Sequence, residues 1–355
     1  MENNTRNNPS VAVIGAGMTG ILMAIKLREA GITDITILEK ADRVGGTWRE
    51  NTYPGVACDV PAHMYTYSFM GNPEWEHRFA HGSEIQQYME RVSAEYGVTD
   101  MVRFNESLDD CHYREGKWHL TTSKGNQMVV DFVVAATGIL HHPAYPDIQG
   151  LDSFKGDMFH TARWDHDVSL EGKRVGIIGT GSTATQIISE LSKTAGKLTV
   201  FQRTPQWIFS VPDKEYTEAH KAPLRGNQSL MTKLSKRYAF IMRHTFTAAV
   251  TGSKTAHALI SWLTKRNLRK SVRDPELRAK LTPDYKVGCK RLVISSKFYE
   301  AIQRKNVHLE TTAIERISER GVVTADGNEH ELDVLILATG FHPFNFMRPM
   351  NLTGR

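Results

Sequence analysis

Two glycine-rich turns of one design, each set between an apolar run and a helical period, constrain this chain more than any other feature. The apolar run Val11 to Ile14 ends in GAGMTG, and the residues after it, 21–30, carry apolar side chains at helical spacing. A second apolar run, ITILEK over 35–40, completes a strand–helix–strand unit whose second strand ends at Glu39. The same grammar returns from Lys173 in KRVGIIGTGSTATQII, with a helix expected to about Thr194 and then the strand KLTVFQR. Gly15, Gly17 and Gly20 follow a strand and open a helix, the context that lets backbone approach a pyrophosphate resting on a helix N-terminus. Gly179, Gly181 and Ala184 hold the equivalent places in the second copy. The fold class expected is α/β, with two Rossmann-like dinucleotide-binding domains.

The two copies differ where a nucleotide ribose would lie. Glu39 stands 24 residues beyond Gly15, and Arg203 stands 24 residues beyond Gly179. A carboxylate accepts hydrogen bonds from a 2′-hydroxyl and repels a 2′-phosphate, whereas a guanidinium pairs bidentately with that phosphate. FAD is therefore expected in the first domain and NADPH in the second, which implies hydride transfer to a flavin. Disulfide reductases share this plan but need a cysteine pair. Cys58, Cys111 and Cys289 form no CxxC and no metal-type spacing, so free thiols in a reducing, cytoplasmic setting are expected, with no metal. Dioxygen (O2) is the remaining electron acceptor.

Each unit is followed by short β-like segments and an apolar strand ending in ATG, at Gly138 and at Gly340. The expected organisation is an FAD-binding domain over 1–140, a linker over 141–153, and an NADP-binding domain over 154–337 with a helical insertion at about 213–285. Residues 338–355 would return to the FAD domain, and the last strand is read as part of that return. The net charge of +5 is spread along the chain, which excludes a nucleic-acid footprint and fits a small phosphorylated ligand. The basic segment ALISWLTKRNLRKSVR reads as a solvated helix face rather than a membrane attachment. No apolar run approaches the ~18 residues of a membrane span. The polar start MENNTRNNPS reads as neither signal nor transit peptide.

One segment, FKGDMFHTARWDH over 154–166, shows no helical or strand period. Its Phe154, Gly156, His160, Trp164 and Asp165 fit FxGxxxHxxxW(P/D), and here the chain resembles the type I Baeyer–Villiger monooxygenases of the flavin-containing monooxygenase superfamily. The resemblance also rests on GGTW at 45–48, YPGVACDVPAHMYTYSF from Tyr53, GTGSTATQ from Gly179, FQRTPQW from Phe201, GCKR at 288–291 and ATGF at 338–341, so it covers nearly the whole chain.

The resemblance implies that NADPH reduces FAD, that dioxygen adds at the flavin C4a carbon, and that the resulting peroxide attacks a lipophilic ketone to give an ester or lactone. It implies a catalytic Arg291 held by Asp59, and cofactor contacts from Gly46, Thr47, Trp48, Asp59 and Tyr65, and from Ser182, Gln186, Thr204 and Lys290, the last joining Arg203 at the 2′-phosphate. His160 and Trp164 are expected to govern movement of the linker and NADP domain rather than to transfer protons. Family members run on well past ATGF, while this chain stops fifteen residues beyond Gly340, so either the sequence is a fragment or its FAD site is incomplete. The alternatives are an enzyme oxygenating nitrogen or sulfur, and a truncated nucleotide-binding protein without turnover.

Overall fold

A computed structural model of the chain describes residues 8–354. The part of the polar start over 1–7 lies outside the described residues. The chain forms two compact units. The first runs to Glu50 and resumes over Gly82–Pro143 and from Phe341; the second comprises Asn51–His81 and Ala144–Gly340.

The core of the first unit is a four-stranded parallel sheet in the order Val102–Arg103, Ile35–Leu38, Val11–Ile14, Phe132–Ala135. Val11–Ile14 is buried throughout because it is central, with Ile14 in register with Leu38 on one side and Ala135 on the other. An antiparallel meander, Leu108–Arg114, Lys117–Thr122 and Gln127–Val130, packs its Cys111 and Leu120 with Ala12 and Leu38. The chain comes back to this unit through Asn351–Thr353, which pairs in parallel with Asp110–His112.

The second unit repeats the arrangement and adds a strand. Its parallel sheet runs Val307–Glu310, Lys197–Phe201, Arg174–Ile178, Val334–Leu337, Asp157–His160. The strand Val334–Leu337 falls inside the span 154–337 expected for the NADP-binding domain, and it is a fully buried member of this sheet rather than a return to the first domain. It is the counterpart of Phe132–Ala135, and both lie beside the strand that feeds the glycine turn. The helices Gln228–Met242, Lys254–Ser271 and Pro275–Lys280 occupy the stretch expected to be helical. In Lys254–Ser271 one stripe, Ile260, Thr264 and Leu268, is buried. Arg266 covers the exposed Trp262 ring at 5.5 Å. No helix among the described residues is long and apolar enough to cross a membrane.

Residues 51–81, expected in the first domain, group with the second unit. The reason is a set of hydrogen bonds onto its helix Ser182–Leu191 and the segment after 210. The Tyr53 hydroxyl donates to Gln186 Oε1 (3.0 Å), Gln186 Nε2 donates to the Ala57 carbonyl (2.9 Å), and the Arg78 amide donates to the Lys214 carbonyl (2.8 Å).

The segment without a sequence period also has a structural explanation. Asp157–His160 is one of the two edge strands of the second sheet, followed by a 3-10 turn at Thr161–Arg163. Four residues are too few to display an alternation. Gly156 enters this strand where a Cβ would sit 2.4 Å from the Asp333 carbonyl oxygen. Phe154 packs against the cluster of Leu335 and Leu337, Trp164 meets Phe159 edge-on at 5.0 Å, and Asp165 accepts the Asp167 amide at 2.9 Å in a local turn. Gly156→Ala is therefore expected to lower stability by ~1–3 kcal/mol through forced overlap with the neighbouring strand, as measured by urea denaturation. A variant as stable as the parent would contradict this packing account.

Candidate active site and nucleotide cradles

In the first unit the turn after Val11–Ile14 is fixed by backbone geometry. Gly15 adopts φ of 103°, and a Cβ there would lie 2.7 Å from the Ala136 carbonyl oxygen, so only glycine fits. The helix Met18–Glu29 begins immediately after Gly17. A Cβ on Gly46 would come 3.1 Å from Gly17 Cα, so two bare backbones face each other beside the helix start. Thr47 and Trp48 open the short helix Thr47–Glu50 next to them. Glu39 is buried at the end of its strand, with one carboxylate oxygen accepting the Ala16 amide (2.7 Å) and the other the Ala41 amide (3.0 Å). These bonds aim the carboxylate along the glycine turn, and each oxygen keeps a further lone pair for a ribose hydroxyl. The residues fit the adenosine and pyrophosphate portion of FAD.

The second unit builds the same cradle with the opposite charge. Gly179 has φ of 116°, and its Cβ would meet the Ala338 carbonyl at 2.4 Å. A Cβ on Gly181 would meet nothing within 4 Å, so the mouth of the turn is open where Ser182 starts the next helix. Thr204 is tied to the turn through its carbonyl, which accepts the Thr180 hydroxyl at 2.9 Å. Arg203 is exposed at the end of Lys197–Phe201 and forms no ion pair among the described residues. The donors present fit a 2′-phosphorylated nucleotide.

Lys290 lies over the Tyr285 ring, 4.6 Å from its centroid, and the Tyr285 hydroxyl is within 3.2 Å of the Pro205 carbonyl and 3.1 Å of Gln206 Oε1. Tyr285 thus joins the GCKR loop to the segment carrying Arg203. Sequence reading missed it because nothing local distinguishes it from any other tyrosine. Trp207 strengthens the same joint by donating its indole N–H to the Tyr285 carbonyl at 2.8 Å. Gln186, expected at a cofactor, has both ends of its amide bonded to residues 53 and 57. Tyr65, also expected at a cofactor, is half-buried in the second unit, just after the 3-10 turn Ala62–Met64.

Asp59 and Arg291 meet although 232 residues separate them: Arg291 Nη2 donates to Asp59 Oδ2 in a short ion pair. The Asp59 side chain is 21% exposed and that of Arg291 71% exposed. They line a cavity of about 280 Å³ together with Met242, Phe246, Val250, Ile260 and Leu292. Phe246 lies in a π-helical turn, Arg243–Thr247, a local widening of the helix often found at functional sites. His257 and Val287, which also line it, are joined by a contact of 2.8 Å between the imidazole and the Val287 carbonyl. An apolar pocket lined by the ion-paired Arg291, with Lys290 beside it, can hold a lipophilic molecule and stabilise negative charge on its polar end.

His160 sits at the end of its strand, 1% exposed, where its Nδ1 accepts the Ala162 amide at 3.1 Å. Burial pushes its pKa down to about 4, so it is a neutral hydrogen-bonding element of the core near pH 7. All three cysteines are free; burial pushes the thiols of Cys58 and Cys111 up, to about 12 and about 11, which makes them poor nucleophiles.

Residues 8–350 match the flavin-binding monooxygenase-like family, and the chain belongs to it. It is 48% identical to an uncharacterized monooxygenase of Mycobacterium tuberculosis over 98% of its own length and 70% of the relative's. It is 42% identical to a Baeyer–Villiger monooxygenase of Streptomyces coelicolor over 94% of its length and 64% of the relative's. Among solved structures, a closed crystal structure of cyclohexanone monooxygenase superposes with a TM-score of 0.85 at 30% identity, covering 98% of this chain and 73% of that one. An oxidized steroid monooxygenase bound to NADP superposes with a TM-score of 0.85 at 31% identity, covering 97% and 74%. The chain thus spans between about two thirds and three quarters of the length of these proteins.

Two outcomes are expected. Arg203→Ala should raise the KM for NADPH by ~10- to 100-fold, the value of a charged hydrogen bond, and leave that for NADH unchanged; Gly181→Ala should weaken both nucleotides without altering the melting temperature. Equal loss for the two nucleotides in the Arg203 variant would contradict the phosphate role. Second, His160 titrates near 6.5 when unfolded and about 4 when folded, and burial depresses His63 likewise to about 4. The unfolded state therefore takes up protons first. Stability is complete above pH 6.5 and falls towards pH 4 by ~1.4 kcal/mol per pH unit for each histidine, and His160→Gln should flatten that slope in denaturant titrations at stepped pH.

Proposed function

We propose that the chain carries the nucleotide-binding and ketone-activating parts of an FAD- and NADPH-dependent Baeyer–Villiger monooxygenase that inserts one oxygen atom of O2 beside a ketone carbonyl. The observation that supports this reading best is the Asp59–Arg291 ion pair lining an apolar cavity. Gly15, Gly17, Glu39 and Gly46 hold the FAD, with Thr47 and Trp48 beside them, and Gly179, Gly181, Ser182, Arg203, Thr204 and Lys290 hold NADPH. When bound, FAD supplies electron transfer from NADPH to dioxygen. The residues of this chain select, orient and stabilise. Arg203 and Lys290 choose the phosphorylated carrier, since a 2′-phosphate offers them charge that a free ribose lacks.

Arg291 carries a permanent charge on a planar donor set, suited to an oxygen that becomes anionic as the ketone is attacked. Asp59 limits the guanidinium's rotation, so less reorganisation is needed when that charge develops. The apolar walls from the helical insertion keep water from a reactive oxygen species and give room to a lipophilic ketone. The free cysteines, two of them buried, accord with a cytoplasmic setting.

The test uses the whole protein that carries this chain. Purified protein should be yellow, bleach with NADPH under anaerobic conditions, and convert cyclic or linear ketones to esters or lactones in air. Arg291→Ala should leave bleaching intact and lower ester formation by at least ~100-fold. Oxidation of sulfides or amines with no ester would instead assign the heteroatom class, and a colourless protein would mean nucleotide binding without turnover.

A further inference from the structure

Outside the nucleotide cradles and the cavity, two histidines and a glutamate converge at the edge of the second unit. His308 and Glu310 lie on Val307–Glu310, the edge strand of the parallel sheet, two residues apart and so on one face. His330 comes from Glu329–Glu331, the edge strand of the antiparallel sheet Ile314–Ile317, Gly321–Thr324, Glu329–Glu331. His308 Nε2 is 3.5 Å and His330 Nε2 3.4 Å from the same atom, Glu310 Oε2.

These distances do not describe good hydrogen bonds, because a charged N–H···O contact closes to ~2.7–2.9 Å. They match the edge of a coordination tetrahedron: donors ~2.0–2.1 Å from a zinc ion stand about 3.3 Å apart. We propose that His308, Glu310 and His330 form a binding site for a divalent first-row transition ion of the zinc type, with the fourth position open to water.

Other features of the cluster support the assignment. His330 and Glu310 have side chains only 12% and 13% exposed, whereas His308 is 53% exposed and gives an ion a way in. The other Glu310 carboxylate oxygen accepts the Thr312 amide at 2.7 Å, which fixes the orientation of the first. The Thr324 hydroxyl, 3.5 Å from His330 Nε2, provides a polar neighbour for bound water. Two imidazoles with one carboxylate suit zinc, cobalt or nickel and disfavour magnesium and calcium, which take oxygen ligands.

An ion here would clasp the strand Val307–Glu310 to the strand Glu329–Glu331. It would also stiffen the strand end next to the phosphate-selecting arginine, since the Glu310 carbonyl accepts the Gln202 amide at 2.8 Å. The cluster is independent of the reaction proposed above. A second group, His77, His81 and Asp213, has donor atoms within 4.8 Å of one another and serves as the internal control.

The test is calorimetric titration of the chelator-stripped chain with zinc chloride and, separately, magnesium chloride. One zinc ion per chain should bind at the His308 cluster, and magnesium should not compete. His308→Gln, at an exposed position that the core tolerates, and Glu310→Gln should each weaken that event by at least ~10-fold, no less than the loss seen when a residue merely supporting a ligand is removed. His81→Ala should leave it unchanged. Melting curves of the zinc-free variants establish that they are folded. Zinc affinity unchanged in both His308→Gln and Glu310→Gln, or abolished by His81→Ala, would overturn the assignment, as would the absence of stoichiometric binding.

Discussion

The ion pair between Asp59 and Arg291 is the contact on which the proposed site depends, and most of the second unit is arranged to permit it. Asp59 follows a loop moored to the helix Ser182–Leu191 by both ends of the Gln186 amide. Arg291 follows a loop pinned by Trp207 at the Tyr285 carbonyl and by His257 at the Val287 carbonyl, and it precedes a parallel bridge of Ile208 with Val293. With 71% of the arginine side chain exposed, the pair contributes little to stability, on the order of 1 kcal/mol or less. Its value lies in direction: a cation that would otherwise sample many rotamers is held in the lining of an apolar cavity.

The two parallel sheets show how one backbone solution is reused with different chemistry. In both, a glycine with positive φ follows the central strand, a carbonyl just past the neighbouring strand occupies the space a Cβ would need, and a helix starts three residues later. The electrostatic difference lies just past the end of the second strand, where register sets the buried Gln202 at the place equivalent to Glu39 and puts Arg203 one residue further on. Glu39 is buried and hydrogen-bonded to backbone amides, while Arg203 is exposed. The burial pattern follows the charge chemistry. A carboxylate takes its hydrogen bonds from fixed amides, whereas a guanidinium facing solvent is free to close on a phosphate.

Features governed by local backbone requirements were legible in the sequence. The glycine turns, the strands leading into them, the helical insertion and the acid–base contrast of Glu39 and Arg203 all follow from residues within one strand–turn–helix. Features governed by long-range pairing were not. Val334–Leu337 has the composition of any buried parallel strand, so its membership of the second sheet depends on partners more than 150 residues earlier. Residues 51–81 group with the second unit through a tyrosine, a glutamine and backbone amides that are common everywhere in sequence. The opening strand of the 154–166 segment is only four residues long, so its regularity was hidden, although the family pattern had marked its residues. The cavity was invisible because it is a gap among helices, and the His308–Glu310–His330 cluster because its members come from two sheets.

The claim that Asp59 acts through Arg291 is tested most directly by a double-substitution cycle on ketone turnover, with Asp59→Asn, Arg291→Lys and the combined variant in the whole protein. If the carboxylate works by orienting the guanidinium, the effects on kcat/KM are strongly non-additive, and losing Asp59 costs far less once Arg291 has been replaced. Losses that simply multiply would mean that the two residues act separately, and the account of this site would be wrong.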